Sequence, residues 1–280
     1  MIITVIGLGL IGSSMAIDLK SRGFAQIIIG VDSNAIHSEA ALQLGIVDKI
    51  MKMQEAIAQA DLILLATPVD VSLKMLPKVL DQIDEQIVAD VCSTKGKLNE
   101  RVYYHKKREN FVSTHPMAGT EHSGPRAAFS GLFDGRATII TDAEDSSDKA
   151  LQTIKTMYEC LNMRIIYMNA YNHDVHAAYI SHISHISSMA LALTVLEKEK
   201  NEKNILDLAS GGFDSTVRLA KSPASMWTPI FMENSGNVAA VLDTYIEHLQ
   251  AFKKAISDQD STNITELINQ SNKIKRVLNR

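Results

Sequence analysis

The first half of the chain alternates short, nearly continuous apolar runs with amphipathic stretches. Ile2–Ile6, Ile27–Val31, Leu62–Ala66, Ile87–Val91, Phe111–Thr114 and Thr138–Thr141 are strand-length and rich in Ile, Val and Leu. Runs of this kind suit strands buried on both faces of a sheet. Between them, Ser13–Arg22, Ser33–Leu44, Val71–Ile83 and Lys97–Arg108 read as helices, the first two stopped by Gly23 and Gly45. Ser146–Asn162 reads as a further helix and Arg164–Met168 as a further strand. Alternation with short turns predicts parallel βαβ units in a Rossmann-type, doubly wound sheet.

Past Tyr171 the strand-like runs cease. His173–Lys200, Lys203–Ala220, Met226–Ser257 and Ile264–Asn279 are all helix-like. The pattern therefore predicts an α/β domain over residues 1–169 and an all-helical domain over 170–280.

Composition narrows the functional classes. Hydrophobic residues make up 46% and charged residues 21% of the 280-residue chain, which supplies a real core. The net charge of -4 gives no basic excess for neutralising phosphates, so nucleic-acid binding is not expected. Two cysteines, Cys92 and Cys160, cannot build a disulfide framework and suit a reducing compartment. The apolar N-terminus has no basic residue before Lys20, and no uninterrupted apolar run reaches the ~18 residues of a membrane span. A cytoplasmic protein without membrane attachment is expected. The chain leaves no room for a fused domain before Met1 or after Arg280, which points to a single activity.

Gly7-Leu8-Gly9-Leu10-Ile11-Gly12 is a G-x-G-x-x-G segment leaving the first strand and opening the first helix. Gly7 makes the tight turn, Gly9 admits a pyrophosphate to the backbone, and Gly12 permits close helix–strand packing. The free N–H groups of the helix start attract phosphate, so Leu10 and Ile11 fall among the expected cofactor contacts. Asp32 ends the second strand about 25 residues after Gly7, near the ~20 expected of an acid that binds ribose hydroxyls. Its carboxylate repels a 2′-phosphate and no Arg follows it, so the expected cofactor is NAD. Thr67 and Pro68 follow the next strand, at the edge where open α/β sheets bind ligands.

Six of the nine histidines are His115, His122, His173, His176, His182 and His185. Were residues 173–185 one straight helix, His173 and His182 would point in opposite directions. His182 and His185 share a face but make a poor metal site alone, so no metal is expected. His122, His173 and His176 read as surface or capping residues. His115 differs, because it follows a strand at the sheet's carboxyl edge, where an imidazole can take a proton from a substrate hydroxyl. Asp90-Val91-Cys92-Ser93-Thr94-Lys95-Gly96 brings hydroxyls to the same edge. Arg218, after a glycine pair in the helical half, belongs to a residue type suited to bidentate capture of a carboxylate, although on composition alone it reads as a surface residue.

Together these segments resemble the prephenate dehydrogenase family. The resemblance rests on Gly7–Gly12 with Asp32, on Asp90 with Ser93-Thr94-Lys95-Gly96, and on His115-Pro116-Met117-Ala118-Gly119-Thr120-Glu121. Ser181-His182-Ile183-Ser184-His185 and Gly211-Gly212-Phe213 through Arg218 to Trp227 complete it, in the family's order over nearly the whole chain. It implies oxidative decarboxylation of prephenate to 4-hydroxyphenylpyruvate and CO2, with NAD accepting the hydride, on the route to tyrosine. It further implies a homodimer formed through the helical domain. His115 would accept the proton of the ring hydroxyl, and Ser93 would orient that hydroxyl. Arg218 would pair with the side-chain carboxylate, His185 would line the pocket with His182 near it, and Thr120 would join the substrate contacts. Lys95 would add positive charge to the cleft.

One departure bears on the substrate. A basic residue is expected after Gly-Gly-Phe, whereas this chain has Asp214, which would favour an amino-bearing substrate such as arogenate. Two further readings stay open. A β-hydroxyacid dehydrogenase would use Lys95 as its acid/base, and an NAD-binding sensor would turn nothing over.

Overall fold

The computed structural model describes residues 1–200, 202, 205 and 209–278. Eight strands form one sheet: β1 (Ile2–Ile6), β2 (Ile27–Val31), β3 (Lys49–Ile50), β4 (Leu62–Leu65), β5 (Ile87–Asp90), β6 (Phe111–Pro116), β7 (Ala137–Thr141) and β8 (Arg164–Met168). Their order is β3-β2-β1-β4-β5-β6-β7-β8. The order reverses direction between β1 and β4, which opens a crevice beyond the carboxyl ends of those two strands.

The apolar runs of the central strands are continuous because those strands feed two cores. In β4, Leu62 and Leu64 face a layer that includes Ile3, Val5 and Met15. Ile63 and Leu65 face the opposite layer, with Ile6, Leu76, Val88 and Phe111. Alternation between the two faces consumes every residue of the strand.

The neighbours from β3 through β6 pair in parallel, as do β7 and β8. The β6–β7 pair is antiparallel, with His115 opposite Ile139, so the Rossmann-type sheet is mostly parallel. Residues 117–136 carry only a short 3₁₀ turn, Pro125–Ala127, so the chain re-enters the sheet from the end at which it left. That connection folds back over the helix Leu10–Ser21, where the buried Asp18 accepts from Ser130 Oγ and Gly131 N. Strand β3, two residues long, and the helix Met53–Gln59 have too little pattern to be read from sequence.

From Asn169 onward the chain is helical. Asn169 caps the first of these helices by accepting from the N–H of Asn172. This helix runs Ala170–Ala177, passes through a π-helical turn at Ala178–His182, and continues as Ile183–Glu199. After it come Gly211–Val217, a 3₁₀ turn at Arg218–Lys221, and Ala224–Glu233. Residues 203, 204 and 206–208 of the expected Lys203–Ala220 helix lie outside the described residues, as does Asn279.

Residues up to Asn234 form one compact unit with the sheet, and a second unit begins at Ser235. In the first unit, Trp227 and Ile230 pack on Val69 and Cys92. The second unit pairs the helices Ser235–Ser257 and Ser261–Ser271, the latter capped by Asp260.

Candidate active site

The crevice between β1 and β4 begins with three glycines that are not interchangeable. Gly7 has φ +100°, and a Cβ there would lie 2.5 Å from the Ala66 carbonyl oxygen. A Cβ on Gly12 would lie 2.3 Å from the Gly7 carbonyl oxygen, so this position holds helix against strand. Nothing lies within 4 Å of a Cβ on Gly9, which leaves that backbone open for a ligand to approach. The helix Leu10–Ser21 starts there without a side-chain cap or an acid in its first turn, so its N–H groups remain available.

Asp32 is held at the end of β2. Its two carboxylate oxygens accept from Leu8 N and Asn34 N, each at 2.7 Å. His37 Nδ1 lies 3.7 Å away.

A cavity of about 1290 Å³ extends from this cradle along the carboxyl edge of the sheet. Its walls include Gly7, Gly9, Leu10, Ile11, Asp32, Thr67 and Pro68 at one end, and Ser93, His115, Thr120, His185 and Arg218 at the other. Ligand sites commonly occupy about 300–1,000 Å³, so there is room for a dinucleotide and a small acid together. Gly12 packs beneath the cradle and is not part of the wall.

His115 ends β6 almost fully buried, and its ring is wired into the helical segment. Its Nδ1 lies 2.8 Å from His173 Nε2, and His173 Nδ1 lies 2.8 Å from Asp174 Oδ1. An ionised carboxylate only accepts, so His173 donates from Nδ1, accepts at Nε2, and receives the N–H of His115 Nδ1. Nε2 is then the basic atom of His115. Burial pushes the His115 imidazole well below its ordinary value, and the neighbouring His173, Lys95 and His182 push the same way. The ring is therefore neutral at pH 7, in the form that accepts a proton.

His173 is thus neither a surface residue nor a cap. The straight-helix argument that set it apart from His182 fails because the π-helical turn at Ala178–His182 changes the angular spacing along the helix. His182 is buried behind the cavity wall and is not part of it. Asn234 Nδ2 lies 3.2 Å from His182 Nδ1, and burial pushes the His182 imidazole down to about 4. His185 does line the cavity, stacked on Trp227 with ring centroids 3.5 Å apart. Burial lowers its imidazole, while the Ser181 carbonyl opposes that shift. His122 and His176 are exposed.

Arg218 lines the cavity half exposed, donating from Nη1 to Glu121 Oε2 at 3.1 Å. The sequence motif included Glu121 but offered no role for it. Thr120 Oγ1 accepts from His122 N at 3.2 Å, shaping the same loop.

Besides Gly12 and His182, two further residues of the sequence reading lie off the cavity wall. Lys95 is fully buried off the cavity wall, its ammonium ion-paired with Asp90 and donating to the Thr114 carbonyl at 2.7 Å, so its charge acts on His115 from behind the wall and it is not exposed there as an acid/base. Asp214 is exposed, pairs with Lys221 at 3.1 Å, and is not on the cavity wall. Cys92 lines the cavity, but burial pushes its thiol up to about 12, which leaves it unreactive as a nucleophile. Among the described residues no three His, Cys, Asp or Glu side chains are placed to hold a metal.

Comparison with known proteins adds family and fold. Residues 15–167 match the family model of the prephenate dehydrogenase nucleotide-binding domain, and residues 169–270 that of the prephenate dehydrogenase dimerization domain. A cyclohexadienyl dehydrogenase of Zymomonas mobilis is 31% identical over 99% of this chain and 95% of its own length. The structure of prephenate dehydrogenase from A. aeolicus in complex with hydroxyphenyl propionate and NAD+ is 29% identical, covers 99% of this chain and 97% of that one, and superposes with a TM-score of 0.89. Synechocystis arogenate dehydrogenase is 29% identical, covers 99% of both chains, and has a TM-score of 0.78.

Proposed function

Because the chain belongs to the prephenate dehydrogenase family, we propose that it catalyses the NAD-dependent oxidative decarboxylation of prephenate to 4-hydroxyphenylpyruvate and CO2. The observation that carries this reading is that His115 and Arg218 line one cavity whose far end is the glycine cradle and Asp32.

The cradle fits a dinucleotide. Gly9 leaves open backbone where a pyrophosphate would lie, and Leu10 and Ile11 begin the helix whose N–H groups would face it. Asp32 would hold the adenosine ribose, with Thr67 and Pro68 along the dinucleotide toward the reacting centre. NAD supplies the hydride acceptor.

At the other end, Arg218 exchanges Glu121 for the side-chain carboxylate of the substrate, with His185 and Thr120 beside it. Ser93 orients the ring hydroxyl toward His115. As the hydride leaves the carbinol carbon, the hydroxyl O–H bond breaks and its proton forms an N–H bond at His115 Nε2. Loss of CO2 aromatises the ring and makes the step effectively irreversible.

The division of labour follows the change from strands to helices, with residues 1–169 binding the nucleotide and 170–280 completing the substrate site. The helix Ala170–Glu199 has the length and apolar character of a membrane span, yet His173 and Asp174 within it bond to residues of the sheet edge. Its exposed Tyr179, Ile180 and Leu193 suit a face covered by a second copy of the chain, in a homodimer of the cytoplasm.

Arogenate is the second reading, favoured by Asp214 standing where a basic residue is expected, and weakened by the pairing of Asp214 with Lys221 off the cavity wall. Initial rates with each substrate, paired with NAD and with NADP, decide between them. Prephenate with NAD should be fastest. A higher kcat/KM for arogenate reassigns the substrate, and no turnover of either overturns the proposal.

A further inference from the structure

One carboxylate serves both sides of the candidate chemistry. Asp174 Oδ1 accepts from His173 Nδ1 and from Lys95 N, each at 2.8 Å, and Oδ2 accepts from Gly96 N at 2.8 Å. Its backbone carbonyl accepts from Asn234 Nδ2 at 2.7 Å. We infer that Asp174 is a positioning residue for two groups at once, fixing His115 through His173 as the Nδ1–H tautomer and anchoring the segment that carries Ser93. The inference rests on the function proposed above but specifies residues outside the motif that carries the family resemblance.

The bonding order is forced. Three N–H groups converge on a carboxylate that has no hydrogen to give, so the direction of each bond in the chain Asp174–His173–His115 is set at its acidic end. Burial pushes the Asp174 carboxyl up, but the hydrogen bonds from His173, Gly96 and Lys95 outweigh that and hold it below its ordinary value. It therefore stays ionised through the working range. When His115 Nε2 takes the substrate proton, the Nδ1–H remains in place, the positive charge faces His173, and Asp174 keeps its charge without receiving a proton. The other charged or titratable groups around His115 are Lys95, paired with Asp90 beneath the sheet edge, and His182 from the π-helical turn. Each opposes protonation, and Asp174 reaches His115 only through His173.

In Asp174→Asn only one oxygen remains for three donors, and an amide N–H presented to His173 reverses the chain, leaving the proton on His115 Nε2, where it cannot accept. Nitrogen-15 NMR of the histidine rings should show His115 as the Nδ1–H form in the native enzyme and the Nε2–H form in Asp174→Asn, with kcat down ~100-fold or more and NAD affinity within about threefold. An unchanged tautomer, or a kcat within about threefold of native, overturns the inference. Should that variant fail to fold, His173→Gln and His173→Leu decide instead. The Gln carbonyl can accept from His115 Nδ1 and Leu cannot, so Gln should keep a kcat at least ~10-fold above Leu, and equal values refute the inference. The NMR readout stands even if neither prephenate nor arogenate is turned over, which separates this inference from the functional proposal.

Discussion

The Arg218 guanidinium reaches Glu121 across 3.1 Å, so the cation offered to a substrate carboxylate is already paired in the free enzyme. Hydrogen bonds from its own backbone N–H and from Arg218 hold the Glu121 carboxyl below its usual range. The pair is partly exposed and screened by solvent, so it contributes little to stability. A carboxylate on the substrate can therefore displace Glu121 at little cost. Glu121→Gln should lower the prephenate KM by up to about fivefold. Arg218→Gln should raise it ~10–100-fold, the scale of one lost hydrogen bond to a charged group, with a smaller change in kcat. Steady-state kinetics on both variants check this, and an unchanged KM in Arg218→Gln removes the carboxylate role.

Two buried imidazoles give stability a pH dependence of known sign. His115 and His182 both titrate below their ordinary value because burial disfavours the charged ring. The unfolded chain binds their protons first, so stability is complete above about pH 6.5 and falls as pH drops toward the His182 value of about 4. Both imidazoles act in the same direction, each withdrawing stability as it is forced to protonate in the folded chain. Denaturant unfolding at pH 7 and pH 5 should show lower stability at pH 5, and His182→Phe should flatten the difference.

Lys95 offers a sharp contrast with the catalytic lysine of a hydroxyacid dehydrogenase. Removing it strands Asp90 in a dry interior between Cys92 N and Thr114 N. Lys95→Ala should cost about 3–5 kcal/mol of folding stability, measured by denaturant unfolding. A variant that is inactive yet as stable as native would return Lys95 to the list of chemical groups.

Asp32 both shapes the cradle and selects the cofactor. Its Oδ2 holds Leu8 N in the glycine turn, so Asp32→Ser should raise the KM for NAD. With the carboxylate gone, Lys52 and His37 on the same cavity wall are left to meet a 2′-phosphate, and the kcat/KM ratio of NADP to NAD should rise at least ~10-fold. An unchanged ratio places the ribose elsewhere.

The cofactor end was the most legible part of the sequence, because Gly7, Gly12 and Asp32 act through local backbone geometry that a motif records. His115 and Ser93 could be placed at the sheet edge because strands β5 and β6 end just before or at them. His173 and Asp174 escaped notice because their hydrogen bonds run to a strand some sixty residues earlier and to the segment that follows β5, contacts that no local spacing records. Lys95 was misread for a related reason. Its position after a strand suggested a cleft, while the buried Asp90 that claims it sits five residues earlier, at the end of β5. The reversed strand β7 left no sign in its own residues, since its direction is set by the absence of a crossover helix over 117–136.

The most direct test is the stoichiometry of a single assay. Purified enzyme with prephenate and NAD should form NADH, CO2 and 4-hydroxyphenylpyruvate in equal amounts, and His115→Asn should keep less than ~1% of that rate with substrate and NAD binding intact. NADH formation at equal rates in the two proteins would contradict His115 as the proton acceptor.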